Sequence, residues 1–300
     1  MTRAIRLQGL AFCMLAAAVM RWSVEHDVDQ SRESLLFIAI AISLFGVPHG
    51  ALDPLLASRE FSLTSAWRWA AFGAVYAALA ASVIAVWWWQ PTAFLTIFLI
   101  ISALHFSGDP APGTARITRT LFGACILVLP AWRHEATVAL LFAQLTNPST
   151  AALITPALHV LAFPVFVVTL ICAAAELRGS ALTALEVTMA VILMAVAPPL
   201  IAFTTYFCTM HGARHLLRTV QADLAHSSPR QLASLIAPVA VVSGGAVWLV
   251  TMGEATSVDA RVIRLLFVGL AALTVPHMLL IEPRRFRRPT DVRAPMQIGA

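Results

Sequence analysis

The sequence predicts an all-α fold, a polytopic integral membrane bundle of about ten transmembrane helices. Of its 300 residues, 59% are hydrophobic and 12% are charged, whereas soluble domains carry about 25% charged residues. Apolar stretches of about 20 residues, the length needed to cross a bilayer, recur along the whole chain. Because no shift in composition divides it, residues 1–300 are expected to form a single domain with a basic tail at 283–300.

Ten stretches are long and apolar enough to be predicted as spans. In chain order they cover residues 5–22, 33–57, 65–89, 91–107, 116–132, 151–176, 181–197, 199–219, 232–252 and 260–281. Three tryptophans, Trp87–Trp89, end the third stretch and predict an aromatic anchor at a membrane surface. The pair Pro198-Pro199 separates the seventh and eighth stretches, since proline cannot continue a helix that it interrupts. The apolar segment Ala136–Leu145 is too short to span and is expected to be interfacial.

The basic residues of the chain predict its orientation. There are 20 arginines and no lysine, and the net charge is +5. Their concentration at the chain ends and in some loops favours a role in membrane topology over nucleic-acid binding. With the N-terminus in the cytoplasm, ten spans place fifteen arginines on the cytoplasmic side and five outside. This split follows the positive-inside rule and predicts a protein of the cytoplasmic (inner) membrane with both termini cytoplasmic.

Five of the nine histidines are predicted to share one depth in the bilayer. His49, His105, His211, His215 and His277 lie after the midpoints of four helices that run from outside to inside. At a rise of 1.5 Å per residue they occupy a slab on the order of 8 Å thick. Imidazoles delivered by several helices to one level are typical of a metal site in a bundle core, and ionisable residues in a membrane indicate function. The alternative is a metal-free polar patch.

Two of these histidines stand four residues apart on one predicted helix. His211 and His215 therefore share a face and can reach the same point in space. His277 follows Pro276 in the last span at the same predicted depth. We expect it to border the site or to hydrogen-bond a ligand, and a role as a further ligand is the alternative. No catalytic residue is predicted beyond the metal ligands.

Two aspartates follow histidines at a spacing of four. Asp53 stands one predicted turn beyond His49, and Asp109 stands at the same spacing from His105. A metal-bound histidine usually donates its other ring N–H to an acceptor such as a carboxylate, so each aspartate is predicted to orient its neighbouring histidine. For Asp109 the alternative is an aspartate that opens a turn. Glu186, in the seventh span, is expected to snorkel toward the interface, and a role in orienting a metal ligand is the alternative.

The types of the candidate ligands limit which metal ion and which class of reaction the site could support. Four imidazoles with no thiolate suit Fe(II), Zn or Cu. An H-E-x-x-H motif is missing from the sequence, so the general base of a membrane zinc protease is absent. An iron ion with open positions facing lipid favours oxygen chemistry on an apolar substrate. A haem-binding electron carrier and a divalent-metal transporter are the alternatives.

Four short stretches, in order along the chain, carry a family resemblance. They are GVPHGALD at 46–53, HF at 105–106, HGARH at 211–215 and PH at 276–277. With them the sequence resembles the Brp/Blh family of membrane β-carotene 15,15′-dioxygenases, found in bacteria and archaea beside retinal-binding rhodopsins. Two departures are Ser107-Gly108 after the HF pair, which displaces Asp109, and Pro54, where a histidine often follows the aspartate.

The resemblance implies a non-haem iron enzyme that uses O₂ to cleave the central double bond of β-carotene into two retinals. It implies Fe(II) held by the four ligands His49, His105, His211 and His215. The implied partners are β-carotene or a related carotenoid from the bilayer, O₂ and membrane lipid, with a functional link to a retinal-binding rhodopsin and no nucleic acid.

Overall fold

The computed structural model describes residues 2–25, 32–43, 52–223 and 258–286, and this part of the chain contains helices and no strands. The all-helical prediction is therefore confirmed for the described residues. In chain order the helices are α1 (Arg3–Glu25), α2 (Arg32–Ala41), α3 (Asp53–Glu60), α4 (Ala66–Trp89), α5 (Pro91–Phe106), α6 (Arg116–Val128), α7 (Pro130–Arg133), α8 (Glu135–Leu145), α9 (Pro148–Glu176), α10 (Ala181–Val196), α11 (Pro199–Tyr206), a π-helical turn (Phe207–Gly212), α12 (Ala213–Asp223) and α13 (Val258–Phe286).

Several of these helices could cross a membrane. Within the described ranges, α1, α4, α9 and the segment Ala260–Leu280 of α13 are long and apolar enough to do so. A fifth candidate is the bent pair of Arg116–Arg133 and α8, whose halves meet at 113°. Helices α5 and α10 are apolar but shorter, with 16 residues each. The count of about ten spans stays a prediction.

Prolines and a short apolar segment set boundaries where the sequence predicted them. Helix α10 ends at Val196 and α11 begins at Pro199, because proline is tolerated in a first helical turn but not in a helix interior. The predicted interfacial segment forms α8, a separate helix of 11 residues. Trp87 at the end of α4 donates its indole N–H to the Leu145 carbonyl of α8 over 2.8 Å.

The second predicted span departs from the prediction. The sequence predicts one helix over 33–57, but the structure begins a new helix at Asp53, with Pro54 in its first turn. Proline lacks the N–H that a helix interior needs, and its ring clashes with the carbonyl four residues earlier. In the first turn of a helix, proline causes neither the missing hydrogen bond nor the clash. Asp53 consequently stands at the start of α3, where the helix dipole stabilises a carboxylate.

Burial separates an outer helix from an inner one. None of the residues of α4 is buried, which suits a helix that faces lipid. Helix α10 buries a face that includes Glu186, Val187 and Ala190, and it packs against α1 and α9. The π-helical turn packs against α1, and α13 packs against α3, α4 and α5. These contacts bring α3, α5, the π-helical turn, α12 and α13 around the histidines.

Candidate metal centre

Four of the five predicted histidines come together. The ring centroids of His105 and His211 lie 4.7 Å apart, those of His105 and His277 lie 5.5 Å apart, and those of His215 and His277 lie 5.2 Å apart. They are contributed by the end of α5, the π-helical turn, α12 and α13. The fifth, His49, lies outside the described residues.

The π-helical turn shapes the position of His211. A π-helical turn accommodates an extra residue relative to an α-helix and is frequent at functional sites. Here it spans Phe207–Gly212, and α-helical geometry resumes at Ala213. The ring of Phe207 stacks on His211 at 5.3 Å, and Phe106 meets the same ring edge-on at 5.0 Å. These contacts restrict the imidazole to one orientation.

Asp109 supports His211. Its two carboxylate oxygens lie 3.1 and 3.0 Å from Nδ1 of His211, and the hydroxyl of Tyr206 donates to Oδ2. An ionised carboxylate only accepts hydrogen bonds, so Nδ1 carries the proton. In the neutral ring, Nε2 then carries the lone pair. We call Tyr206, Asp109 and His211 the Asp109 unit.

Asp53 supports His277 in the same way. Nδ1 of His277 lies 2.6 Å from Oδ1 of Asp53, and the hydroxyl of Tyr76 donates to Oδ2 over 2.9 Å. Asp53 and His277 are almost fully buried. We call Tyr76, Asp53 and His277 the Asp53 unit. The chain has two tyrosines in total, and each of them donates to one of these two aspartates.

The pairing of carboxylates with imidazoles differs from the predicted one. The sequence assigned Asp53 to His49 and Asp109 to His105, from a spacing of four. The structure shows Asp109 on His211, across 102 residues, instead of on His105. It also shows Asp53 on His277, across 224 residues, and the predicted pairing of Asp53 with His49 lies outside the described residues. Asp109 lies beyond the end of α5, so the geometry of one continuous helix does not apply to it.

A buried arginine network surrounds the Asp109 unit. Arg214 lies between His211 and His215 in the sequence and is fully buried. It donates to both carboxylate oxygens of Glu186 over 2.9 and 2.6 Å. Its Nε donates to the Gln8 side chain over 2.8 Å, and Gln8 donates to the Thr209 carbonyl in the π-helical turn over 2.7 Å. Arg218 donates to the Asp109 carbonyl over 2.9 Å.

One expectation fails in this network. Glu186 was expected to snorkel, but it is 1% exposed and paired with Arg214. The pairing with Glu186 gives Arg214 a structural role as well. The sequence did contain a signal for the pairing of Glu186 with Arg214, because an acidic residue within an apolar span needs a partner. Gly9 of α1 permits this packing, because a Cβ there would overlap the Glu186 carboxylate.

The charge state of Asp109 follows from the same contacts. Burial by itself would raise the pKa of Asp109, but His211, Tyr206 and Arg218 outweigh that effect and hold the pKa below its usual range. Asp109 therefore stays ionised and accepts from Nδ1 of His211. This is the state that a carboxylate needs when it orients a metal-binding histidine.

The imidazoles fit a metal ion by chemistry and by spacing. Because metal–nitrogen bonds are about 2.1 Å long, two imidazoles that bind one ion at right or tetrahedral angles have centroids about 4.5–5.2 Å apart. Two of the observed separations, 4.7 and 5.2 Å, lie in this range, and the separation of 5.5 Å between His105 and His277 lies just above it. Within the described ranges, no three His, Cys, Asp or Glu side chains form a complete metal-binding group. The donor chemistry of the imidazoles and the carboxylates on their Nδ1 atoms support a metal ion at this place.

An apolar cavity adjoins the imidazoles. The cavity is partly open to the outside, and the polar side chains in its lining are Ser102, His105, His211 and Thr274. The other lining residues are apolar and come from α5, α6, α8, α11 and α13, with Pro130 and Phe207 between them. An apolar pocket with a few polar groups is typical of a small-molecule site. Its apolar lining suits a hydrocarbon ligand placed next to two imidazoles.

The fold and the site define a class of protein: a helical protein with several apolar helices and a buried imidazole–carboxylate cluster that opens onto an apolar cavity. The family model that matches residues 40–283 is described as Beta-carotene 15,15'-dioxygenase. The chain belongs to this family, which confirms the resemblance found in the sequence.

Two relatives agree with the family match. The Beta-carotene 15,15'-dioxygenase of an uncultured marine bacterium, 66A03, is 31% identical over an alignment that covers 81% of this chain and 92% of the relative. The Probable beta-carotene 15,15'-dioxygenase Blh of Halobacterium salinarum is 25% identical, with 79% of this chain and 80% of the relative covered. No solved structure matches the chain.

Proposed function

We propose that this chain uses O₂ to cleave the central 15,15′ double bond of β-carotene into two molecules of retinal. The observation that carries the proposal is the presence of His105 and His211 in the wall of the apolar cavity. A hydrocarbon in that cavity lies against the groups that would hold a metal. The name of the family and those of the two relatives supply the substrate and the bond.

The proposed metal is Fe(II), held by His49, His105, His211 and His215. Bound iron would supply the activation of O₂, which protein side chains cannot perform by themselves. The protein's contribution is to bind and orient. Asp109 holds the Nδ1 proton of His211 and thereby directs Nε2 toward the site, while the apolar wall excludes water and fixes the register of the polyene.

The membrane supplies the substrate in this proposal. The polyene enters from the lipid phase, and the protein resides in the cytoplasmic membrane with both termini in the cytoplasm. The split of fifteen arginines to five supports that orientation. Reporter fusions should place residues 284–293 in the cytoplasm, and a periplasmic location would contradict it. The retinal product would serve a retinal-binding rhodopsin.

The direct test is expression in cells that make β-carotene. Loss of colour together with formation of retinal, measured by chromatography, is the expected result. His49→Ala, His105→Ala, His211→Ala and His215→Ala should each abolish retinal formation, since each leaves the metal shell incomplete. Correctly inserted wild-type protein that forms no retinal, or that forms unequal fragments, would contradict the proposal.

A cavity variant separates substrate binding from metal binding. Leu99 lines the cavity on α5, and Leu99→Trp would fill part of it. Because a misplacement of the substrate by about 1 Å can cost on the order of 100-fold in rate, retinal yield should fall by about tenfold or more. Iron content should equal that of the wild type. An unchanged yield would show that the polyene lies elsewhere.

A further inference from the structure

We infer that His277 is itself a metal ligand through Nε2 and that the role of Asp53 is to orient it. This inference rests on the proposed metal centre and adds a ligand to it. The sequence placed His277 around the site rather than on the metal, because no carboxylate lies near it along the chain. The structure supplies that carboxylate from α3.

The first support is the position of the ring. His277 lies 5.5 Å from His105 and 5.2 Å from His215 by ring centroids. These distances are comparable to the 4.7 Å between His105 and His211, which are both in the proposed ligand set. His277 is therefore within the cluster of imidazoles and not at its margin. Its Nε2 is buried, as are those of His105 and His211.

The second support is that the Asp53 unit repeats the Asp109 unit group for group. In each unit a tyrosine hydroxyl donates to Oδ2 of a buried carboxylate, and an imidazole Nδ1 contacts the same carboxylate, through Oδ1 of Asp53 and through both oxygens of Asp109. A carboxylate on Nδ1 fixes the tautomer and raises the basicity of Nε2, which is the usual support of a metal-ligating histidine. If His211 is a ligand for this reason, the same reason applies to His277.

The third support is that α3 and α13 pack against each other next to the contact between Asp53 and His277. Leu56 and Ala57 of α3 pack with Leu280 of α13 in a small buried cluster. Leu56 lies three residues after Asp53, and Leu280 lies three residues after His277. Packing of this kind fixes the carboxylate and the imidazole relative to each other. A site with a fixed ligand geometry requires this rigidity.

Metal affinity measured without turnover tests the inference. Wild-type protein and variants are purified in detergent, stripped of metal and titrated with Co(II) against a chelator of known affinity. Loss of a carboxylate that hydrogen-bonds a metal-binding histidine costs about 10–100-fold in metal affinity, and this is the expectation for Asp53→Asn. The loss of Co(II) affinity in His277→Ala should be larger than that in Asp53→Asn and equal to that in His211→Ala. The visible spectrum of the bound Co(II) should also change in His277→Ala, because the ligand number falls.

Two further variants test whether a loss of metal affinity comes from misfolding. His277→Gln retains an amide that can donate to Asp53 but is a poor metal ligand, so it should keep its elution volume and apo-protein melting temperature while losing affinity. His277→Gly should regain part of its affinity when free imidazole is added. His159→Gln is the matched control on another helix and should leave the titration unchanged. If His277→Gln or His277→Ala binds Co(II) with wild-type affinity and spectrum, the inference is overturned.

The outcomes separate this inference from the proposed function. Retinal formation by the wild type, combined with normal Co(II) binding in His277→Ala, would overturn the ligand role of His277 and leave the function intact. Metal binding that depends on His277, without retinal formation by the wild type, would support the ligand role and overturn the function.

Discussion

The Asp109 unit and the Asp53 unit contain the same three side chains but are supported in different ways. In the Asp109 unit, Tyr206 is completely buried and Asp109 lies in a loop whose carbonyls receive hydrogen bonds from Arg218. In the Asp53 unit, Tyr76 is half-buried on the outer helix α4. Asp53 occupies the first turn of α3, where the helix dipole favours its charge.

The difference shows two solutions to one electrostatic problem. A buried carboxylate is costly unless donors or positive charge compensate it. Asp53 obtains part of this compensation locally, from the beginning of its own helix. Asp109 obtains it from distant residues, because Arg218 belongs to α12 and Arg214 links that helix to α1 and α10. The Asp109 unit should therefore depend more strongly on remote side chains.

The largest expected effect comes from removing Arg214. Breaking a buried ion pair from one side costs about 3–5 kcal/mol, because the remaining charge is left uncompensated. We expect Arg214→Met to lower the free energy of unfolding by that amount and to disturb the π-helical turn. The measurement is denaturant unfolding in detergent micelles. The double variant Arg214→Met/Glu186→Leu should recover most of the loss, and a double variant as unstable as the single one would contradict this reasoning.

The helical class was predictable from the sequence because it depends on composition and local pattern. Apolar stretches and the pair Pro198-Pro199 act over a few residues, and the structure confirms the helices and that boundary. The gathering of His105, His211, His215 and His277 was also predictable. Each occupies a comparable position along an apolar helix, and ionisable groups in such helices face one another.

The partners of these histidines were not predictable in the same way. A spacing of four indicates neighbours only on a continuous helix, yet Asp109 lies beyond the end of α5 and Asp53 begins α3. Their contacts with His211 and His277 depend on how distant helices pack. No pattern in the sequence links residues 53 and 277, so the contact between Asp53 and His277 could not be predicted from it.

A smaller effect should distinguish the two tyrosines. Hydrogen bonds to charged groups contribute about 1.5–3 kcal/mol, so Tyr206→Phe should lower the free energy of unfolding by an amount in that range. Tyr76→Phe should cost less, because the dipole at the beginning of α3 also favours the charge of Asp53 and makes it less dependent on the tyrosine donor. Both variants keep the aromatic ring, and both are measured by thermal unfolding of the metal-free protein. Equal losses would show that the two units are supported equally after all.

The smallest expected effect concerns a third contact between a histidine and a carboxylate. Nδ1 of His159 on α9 lies 3.4 Å from Glu135, and the two side chains are 42% and 46% exposed. The same Nδ1 lies 2.9 Å from the Ala131 carbonyl. This contact has the chemistry of the two buried units without their burial, their tyrosine or their neighbouring imidazoles.

We therefore expect His159→Gln to change the free energy of unfolding by no more than about 0.5 kcal/mol, as is usual for substitutions at exposed positions. The glutamine amide can still donate to the Ala131 carbonyl. Iron content and retinal yield should equal those of the wild type, measured side by side with His277→Ala. A loss of iron in His159→Gln would mean that substituting a histidine outside the imidazole cluster also removes iron from this protein. The argument from the two units to His277 would then fail, because burial within the imidazole cluster is what separates His277 from His159.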